Sequence, residues 1–436
     1  MRHDYTVGLA TLGCKVAQYE TEALAEAFES LGFTVLSFDD VCDVYVVNTC
    51  TVTAESDRKS RQMIRRASRR NERALVMVTG CYAQTSPGEA SALPQVVYVS
   101  GNESKLNLPY RALSFLREGL PQAPVTEGLT LEGATFEPMR ITHAPRTRAY
   151  VKIEDGCDCR CTYCAIPGAR GPVRSKAQDD VLREIDGLVA GGTREIVLTG
   201  IETASYGRDF GDGNALVSLI ERISRECDVS RIRLGSMTPE FFTEERVKRL
   251  ASVGVLTPHF HLSVQSASSG VLARMRRRYQ PDRLYRAVEL LRTHFASLEL
   301  SGDFICGFPG ETDAEFEETY AFAEQAELLQ MHVFTYSKRK NTPAATFDLQ
   351  VPKQIAAERS ARLIALGSRM KEKRLRRALG YPRLRVLFEQ REGDCFVGHT
   401  EHFLPVAVKT ERDLHGMLLN TVPLCTDGVR IDATLV

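Results

Sequence analysis

Residues 156–164, GCDCRCTYC, hold four cysteines in a chain of 436 residues that has only twelve. The preceding residues 149–153 (AYVKI) alternate apolar and polar side chains, which predicts a β-strand, and Gly156 is typical of the turn that ends one. The four thiols are therefore expected on a loop at the carboxyl end of a strand. Active sites of α/β folds gather at that edge.

Three of these cysteines have a spacing that is typical of a metal site. Cys157, Cys161 and Cys164 form the pattern C-x3-C-x2-C, which offers soft thiolates to an iron–sulfur cluster. Because such clusters usually take four cysteines, one iron would stay open for a substrate or cofactor. A zinc site is disfavoured because the next cysteine, Cys227, is far along the chain, and nothing in the sequence suggests the oxidising compartment that a disulfide needs. Cys159 does not fit the pattern and stays unassigned.

The spacing, with Tyr163 directly before the third cysteine, resembles the signature of the radical SAM superfamily. In that superfamily the open iron binds the amino and carboxylate groups of S-adenosylmethionine (SAM), and an electron from the cluster splits SAM into methionine and a deoxyadenosyl radical. The resemblance implies a [4Fe-4S] cluster at Cys157, Cys161 and Cys164, with Tyr163 beside the cofactor.

Length and charge set limits on the rest of the chain. A chain of this length predicts two or three domains. Its 56 basic and 56 acidic residues cancel, so contact with a nucleic acid requires a local basic patch. The amino terminus has no apolar signal core, and no apolar run approaches the ~20 residues that cross a bilayer. We therefore expect a cytoplasmic protein without a membrane partner.

Three further cysteines, Cys14, Cys50 and Cys81, each follow an apolar, β-branched run that predicts a buried parallel strand. The runs are separated by stretches that predict helices near residues 21–31 and 55–70, as in βα units. The carboxyl ends of parallel strands lie along one edge, so the three thiols should converge there. Each could instead be a small buried apolar residue, but three in matching positions favour a second cluster.

The helix predicted near residues 55–70 is unusually basic. A run of charge is usually a solvated face, but this run lies beside the second cysteine set in a neutral chain, which favours binding of nucleic-acid phosphates. The candidate RNA-binding residues are Arg58, Lys59, Arg61 and Arg65.

Residues 146–377 alternate strand-like and helix-like segments, which predicts a parallel βα barrel, partial or complete. The radical SAM resemblance implies six strands with an open side. Residues 259–266, 275–279, 303–312 and 332–337 resemble, in order, motifs of the radical SAM methylthiotransferases, while residues 202–205 (ETAS) depart from the usual sequence of that family. This resemblance implies four positions close to SAM: Gly200, Ser236, Gln265 and Arg277.

Residues 378–436 contain five short alternating segments, which predict a small β-barrel. Residues 398–403 (GHTEHF) resemble a TRAM domain, an RNA-binding module. Because acidic and basic residues are about balanced here, a purely structural cap is the alternative.

Taken together, the motifs resemble the radical SAM methylthiotransferases over nearly the full length. Residues 11–16 (TLGCKV), 47–53 (VNTCTVT) and 79–84 (TGCYAQ) resemble their amino-terminal domain, and residues 57–62 (DRKSRQ) point to the MtaB-type branch. The resemblance implies an α/β protein with a doubly wound first domain (1–117), a six-stranded partial βα barrel (146–377) and a TRAM-like barrel (378–436). Residues 118–145 carry four prolines and show little periodicity, which predicts a linker between the first two domains.

The reaction that the resemblance implies is methylthiolation of carbon 2 of threonylcarbamoyladenosine, next to the anticodon of tRNA. It would use two [4Fe-4S] clusters and SAM, with Cys14, Cys50 and Cys81 holding the second cluster. An unidentified reductant and sulfur source would be needed, besides the anticodon loop as partner. Within the class, isopentenyladenosine in tRNA or a ribosomal protein aspartate are alternative substrates. Outside it, a two-cluster electron carrier or a zinc-containing RNA-binding protein are the alternatives.

Overall fold

The structure is a computed structural model that describes residues 5–144 and 146–436. Residues 1–4 and Pro145, which the predicted first domain and linker include, lie outside the described residues. The chain forms two compact units. The first unit contains residues up to Thr142 together with Lys152–Lys176 and Ser337–Ala345. The second unit contains His143–Val151, Ala177–Tyr336 and Thr346–Val436.

A six-stranded parallel sheet makes up most of the first unit, in the order β2-β1-β3-β4-β5-β6. Every residue of β3 and β4 is buried, as expected for central strands of a parallel sheet. This order is that of flavodoxin-like doubly wound folds, so the predicted fold of this region is confirmed. Its elements are β1 (Thr6–Thr11), α1 (Lys15–Ser30), β2 (Thr34–Leu36), β3 (Val44–Thr49), α2 (Ala54–Arg70), β4 (Leu75–Gly80), α3 (Cys81–Thr85), α4 (Pro87–Ser91), β5 (Val96–Ser100), α5 (Leu108–Glu118) and β6 (Val125–Glu127).

The region predicted as a linker is built into this unit. Strand β6 pairs with β5, and the buried Met139 accepts a hydrogen bond of 2.6 Å from the hydroxyl of Tyr19. Pro121, Pro124 and Pro138, three of the prolines that predicted a linker, lie outside helices and strands, yet the segment around them packs against the unit. The four sequence ranges assigned above therefore stay a prediction about domains. The two compact units of the structure each combine residues from more than one of these ranges.

The cysteine loop follows a short strand, as the alternation of residues 149–153 predicted. Strand β7 (Arg148–Lys152) leads into β8 (Glu154–Asp155), and the loop ends at α6 (Ile166–Arg170) and β9 (Arg174–Ser175). Because β8 and β9 pair in antiparallel orientation, the two ends of the loop are held together.

The second unit contains the predicted six-stranded βα barrel. Its strands form two sheets, in the orders β11-β10-β7 and β12-β13-β14-β15. Only Gly235 separates β11 from β12, so these two count as one interrupted strand. The elements are α7 (Gln178–Ala190), β10 (Glu195–Thr199), α8 (Ala215–Glu226), β11 (Arg231–Leu234), β12 (Ser236–Met237), α9 (Glu244–Ala251), β13 (His259–Gln265), α10 (Ser269–Met275), α11 (Pro281–His294), β14 (Glu299–Cys306), α12 (Asp313–Gln325) and β15 (Gln330–Thr335).

A closed five-stranded barrel ends the chain, in the order β16-β17-β18-β20-β19. Phe388, Phe396, Val406 and Ile431 fill its core. The predicted small β-barrel is confirmed, and it is consistent with a TRAM domain. Among the described residues, no helix has both the length and the apolar character to span a bilayer. The elements are α13 (Lys353–Ala378), β16 (Leu384–Glu392), β17 (Cys395–Thr400), β18 (Pro405–Lys409), β19 (Leu418–Thr426) and β20 (Ile431–Leu435).

Candidate active site

Three cysteines of the first unit lie at one edge of its parallel sheet. Cys50 and Cys81 directly follow β3 and β4, and Cys14 follows β1 after a two-residue turn. These three strands are neighbours in the sheet, so their carboxyl ends, and the thiols that follow them, are adjacent. The three thiols are close enough to influence one another electrostatically, since Cys81 acts on the pKa of both Cys14 and Cys50.

Two glycines allow this close approach. Gly80, at φ +92°, precedes Cys81, and a Cβ atom there would lie 2.4 Å from the carbonyl oxygen of Thr49. Gly13, at φ +122°, precedes Cys14, and a Cβ atom there would lie 3.2 Å from the sulfur of Cys50. Both positions combine a left-handed backbone with a tight contact, which only glycine accepts without strain.

The environment of these thiols is unusual for buried apolar residues. Cys50 and Cys81 are buried, whereas Cys14 has an accessible surface. Burial nevertheless raises the pKa of the Cys14 thiol as well as that of Cys50. Thiols of this kind become ligands when a metal site or nearby cations stabilise the thiolate.

The loop with the second cysteine set is shaped by its own backbone. The N–H of Cys157 donates to the carbonyl oxygen of Gly171 over 3.0 Å, which closes the loop. The N–H of Cys159 donates to the sulfur of Cys157 and that of Ile166 to the sulfur of Cys164, each over 3.4 Å. Backbone donors aimed at cysteine sulfurs are a known means of tuning iron–sulfur clusters. These residues therefore fit the cluster that the spacing predicts, and Cys159 contributes its backbone.

The helix after this loop contacts the first cysteine set directly. Arg170, the last residue of α6, donates from Nε to the sulfur of Cys81 over 3.3 Å. Next to it, the side-chain amide of Asn102 donates to the carbonyl oxygen of Ala169 over 2.7 Å and lies 3.8 Å from the same sulfur. The segment that follows Cys164 is thus held beside Cys81 through Ala169 and Arg170, five and six residues after Cys164.

Residues 337–345 make a second connection within the first unit. The guanidinium of Arg339 donates to the hydroxyl of Thr51 over 2.7 Å and to Asp57 over 2.6 Å, beside Cys50. The N–H of Ala344 donates to the carbonyl oxygen of Thr162, inside the cysteine loop, over 2.8 Å. Two independent contacts therefore join the two cysteine sets. Sequence analysis missed Arg170 and Arg339, because neither belongs to a pattern that points to its partner.

Behind the cysteines lies a network of buried charges. Glu20 pairs with Lys105, with Lys152 (2.9 Å) and with Arg170, and Lys152 also pairs with Asp155 (2.6 Å). Arg170 lies 3.2 Å from Asp155. Burial alone would raise the pKa of Glu20, but the surrounding cations hold that pKa well below its usual value. Both carboxylates are consequently ionised at neutral pH.

The ion pairs of this network involve more cations than carboxylates. With Arg174, which lies 3.5 Å from Asp155, it contains four cations against the two carboxylates of Glu20 and Asp155. Unbalanced buried charge is costly, so it persists where a further partner is present. Arg170 contacts the sulfur of Cys81 and opposes the rise in pKa that burial causes at Cys14, so cysteine ligands of a metal are a fitting partner for this charge. The donor set and its cationic surroundings fit a metal cluster.

A cavity of about 970 Å³ opens beside the cysteine loop in the first unit. Its lining includes Gln84, Leu131, Cys157, Arg160 and Pro172. This volume is within the range of small-molecule sites. Tyr163 lies half-buried in the same loop, two residues after Cys161.

In the second unit, the four predicted SAM-bordering residues are distributed along the strand ends. Gly200 follows β10, Ser236 begins β12, and Gln265 ends β13 with a left-handed φ of 60°. Arg277 follows α10 and donates to the carbonyl oxygen of Ser263 over 3.1 Å, which ties it to β13. A left-handed glutamine is a strained conformation of the kind found at ligand sites.

Two polar residues beside Gly200 were not singled out from the sequence. The hydroxyls of Thr203 and Ser205 are fully buried and have no hydrogen-bond partner among the described residues. A buried hydroxyl without a partner costs about 1–3 kcal/mol, so such groups usually await a polar ligand. Both residues lie in segment 202–205, whose sequence differs from the usual sequence of the family. This difference could have singled them out from the sequence alone.

The basic helix α2 is less available for RNA than its sequence suggests. Arg58 pairs with Glu55, and Arg66 and Arg70 pair with Asp39. The guanidinium of Arg61 lies over the ring of Tyr82, 5.7 Å from its centroid. Lys59 and Arg65 are exposed and form no ion pair within the described part of the chain. Of the four candidate residues, these two are the most accessible to a phosphate.

Comparison with known families agrees with this architecture. Residues 151–323 match the radical SAM superfamily, and residues 6–101 match a family described as "Uncharacterized protein family UPF0004". The chain is thus a radical SAM protein. This class implies a [4Fe-4S] cluster and SAM, for which the cysteine loop supplies a fitting ligand set.

Curated relatives define the family more closely. The chain is 38% identical over 421 residues to the threonylcarbamoyladenosine tRNA methylthiotransferase MtaB of Bacillus subtilis, covering 95% of this chain and 92% of the relative. It is 40% identical to the protein of the same name from Thermotoga maritima, over 81% of this chain and 80% of the relative. A tRNA-2-methylthio-N(6)-dimethylallyladenosine synthase of Frankia casuarinae is 33% identical, over 88% of this chain and 71% of the relative. The chain belongs to the radical SAM methylthiotransferase family.

Among solved structures, the chain is similar to the radical SAM methyltransferase TsrM from Kitasatospora setae, with a TM-score of 0.58 and 17% identity. The match covers 82% of this chain and 84% of that one. At this identity the likeness concerns the fold alone, and it agrees with the parallel sheet and βα barrel described above.

Proposed function

We propose that the protein methylthiolates carbon 2 of threonylcarbamoyladenosine next to the anticodon of tRNA. In this proposal Cys157, Cys161 and Cys164 hold the cluster that works with SAM, and the cysteines at the sheet edge hold a second [4Fe-4S] cluster. The observation that carries it is the contact between Arg170, which ends the helix after the cysteine loop, and the sulfur of Cys81. The substrate assignment is supported by the relatives that bear this activity in their names.

The chemistry requires two sulfur-rich sites near each other. A C–H bond at carbon 2 of adenine is neither acidic nor electrophilic enough for polar substitution, so radical chemistry is needed. When bound, SAM and the clusters would supply the radical and the sulfur with its methyl group. The protein's own contribution is to hold both ligand sets in one unit, which removes the entropic cost of bringing separate carriers together.

Particular side chains of the first unit support this role. Arg170 and Arg339 fix the loop with Cys164 and Thr162 against the segments that carry Cys81 and Cys50. The positive charge of Arg170 opposes the rise in pKa that burial causes at the Cys14 thiol. Binding of the metal itself would then complete the deprotonation of the cysteine ligands.

An electron carrier with two clusters is the main alternative from another class. It would have no need for a cofactor pocket beside the barrel strands. The unsatisfied hydroxyls of Thr203 and Ser205 and the left-handed Gln265 favour a ligand-binding barrel instead. Release of deoxyadenosine from reduced, reconstituted protein separates the two, because a carrier would release none.

Mass spectrometry of tRNA nucleosides identifies the substrate. In cells that lack the protein, we expect the methylthio form of threonylcarbamoyladenosine to disappear while its unmethylthiolated precursor accumulates. A plasmid with the wild-type gene should restore it, and one with Cys161→Ala should not. Loss of the methylthio form of isopentenyladenosine, or of a modified ribosomal aspartate, would overturn the substrate assignment.

The exposed charges of α2 lead to a prediction for RNA binding. Replacing Lys59 and Arg65 with alanine should weaken tRNA binding by roughly tenfold at low salt, because two phosphate contacts are lost. The dependence of log Kd on log salt concentration should become shallower by about 1.5. Filter binding of tRNA over a salt series measures both quantities. The matched control replaces Arg183 and Lys248, which are exposed on helices α7 and α9, and should leave both unchanged.

A further inference from the structure

Three polar side chains meet on adjacent strands in the second unit. His261 on β13, Asp303 on β14 and His332 on β15 are brought together by the parallel register, in which Asp303 lies opposite His332. Nε2 of His261 is 3.0 Å from Oδ2 of Asp303, and Nδ1 of His332 is 3.5 Å from Oδ1. The two imidazole centroids are 5.2 Å apart. We call these three residues the His–Asp–His cluster.

The cluster faces the inside of the βα barrel. Phe260, the neighbour of His261, packs edge-on against Phe242 and Phe295, on the side where the helices cover the strands. Successive side chains of a strand point to opposite faces, so His261 points inward. Its side chain is 12% exposed, that of Asp303 22% and that of His332 43%. This lumen is therefore open, unlike the packed interiors of ordinary parallel barrels.

His261 lies on the same strand, β13, as Gln265, which is predicted to border SAM. His261 precedes Gln265 on β13 by four residues, which corresponds to ~13 Å along a strand. A nucleoside that reacts next to SAM at the strand ends would extend its larger substituent along the lumen. In that orientation the N6 substituent would point toward the cluster.

The chemistry of the cluster discriminates between the candidate substituents. Nε2 of His261 is buried and, despite its closeness to Asp303, is not aligned for a hydrogen bond with any described residue. An isopentenyl group would leave this buried nitrogen without a hydrogen-bond partner, which is costly. A threonylcarbamoyl group offers carbonyl, hydroxyl and carboxylate oxygens that can pair with it.

We infer that the His–Asp–His cluster binds the threonylcarbamoyl group of the substrate, an inference that rests on the proposed function. The imidazoles donate hydrogen bonds to the oxygens of the substituent, and Asp303 orients both rings. Two histidines and a carboxylate can also hold a divalent cation, and their ligand atoms lie within 4.8 Å of one another.

Binding of anticodon stem-loop RNAs tests this inference. The reconstituted holoenzyme, without reductant so that no turnover occurs, is titrated with RNAs that carry threonylcarbamoyladenosine, isopentenyladenosine or plain adenosine at the target position. Wild type should bind the threonylcarbamoyl RNA more tightly than the other two. His332→Ala should reduce this preference at least tenfold and leave the affinity for plain adenosine unchanged. His332→Gln, which keeps a hydrogen-bonding group, should recover part of the preference.

The control variant is His294→Ala, because His294 is an imidazole of the same unit that also pairs with a carboxylate, Glu244, but lies on helix α11 and not on a barrel strand. It should bind all three RNAs as wild type does. A preference that survives His332→Ala and His261→Ala overturns the inference while leaving the proposed function intact. If the wild-type protein binds the three RNAs equally well, the inference is also wrong. The proposed function would be wrong only if, in addition, the wild-type gene failed to restore the methylthio product in cells that lack the protein. One equivalent of Zn²⁺ in wild type that both variants lose would show a metal site instead.

Discussion

Replacing Cys50 with alanine is expected to abolish methylthiolation of tRNA while reductive cleavage of SAM continues. Cys50 belongs to the cysteine set at the sheet edge, whereas Cys157, Cys161 and Cys164 remain available for the cluster that works with SAM. Iron content should fall by about four atoms per chain, the complement of one cubane cluster. Deoxyadenosine release and tRNA nucleosides, measured on the same reconstituted sample by liquid chromatography and mass spectrometry, give both results.

The contrasting variant is Cys161→Ala. It should lose both deoxyadenosine release and methylthiolation, because the radical step precedes the sulfur transfer. Cys227→Ala serves as the control, since Cys227 is equally buried but lies in the second unit, far along the chain from either set. Fully modified tRNA from the Cys50→Ala protein would remove the second cluster from the reaction. Loss of SAM cleavage in Cys50→Ala would show that the two sets do not act separately.

The cysteine positions could be predicted from sequence because the rule that places them is local. An apolar, β-branched run marks a buried parallel strand, and the residue after it is at the carboxyl edge of the sheet. Cys50 and Cys81 directly follow such strands, and Cys14 needs only one tight turn. Local patterns also predicted the loop of residues 156–164, from the alternating residues 149–153 and Gly156, and the barrel, from the alternation of strand-like and helix-like segments.

The charged partners of the site could not be predicted in this way. Glu20 and Arg170 are separated by 150 residues, and Lys105 and Glu20 by 85. No periodicity connects such positions, and only the folded sheet brings them together. Helix α2 shows a related limit. Its run of basic residues was visible in the sequence, but the pairing of Arg66 and Arg70 with Asp39, in the loop before β3, could not be predicted.

Segment 118–142 shows a third limit of sequence patterns. Its prolines and weak periodicity indicated a linker, yet Val125–Glu127 completes the sheet and Met139 is buried. An edge strand of three residues is too short to produce a recognisable alternation. Packing against the rest of the unit, and not local propensity, orders this segment.

Arg170 is expected to tune the second cluster as well as to stabilise the fold. Arg170→Gln removes one cation from a fully buried network and should lower the free energy of unfolding by about 3–5 kcal/mol. It also removes the N–H donor and the positive charge at the sulfur of Cys81. Both normally favour the reduced, more negative state of a cluster, so its midpoint potential should become more negative.

The potential is best measured where only the second cluster is present. In the Cys161→Ala background, redox titration followed by electron paramagnetic resonance should report the sheet-edge cluster alone, and adding Arg170→Gln should shift it downward. Arg170→Lys keeps the positive charge but lacks the planar set of N–H donors of a guanidinium. Its midpoint potential should therefore lie between those of the proteins with Arg170 and with Arg170→Gln. Arg183→Gln, on an exposed arginine, is the control for a general effect of charge. An unchanged potential, with the cluster retained and only stability reduced, would make Arg170 a purely structural residue, and the hydrogen bond to Cys81 would then have no electronic role.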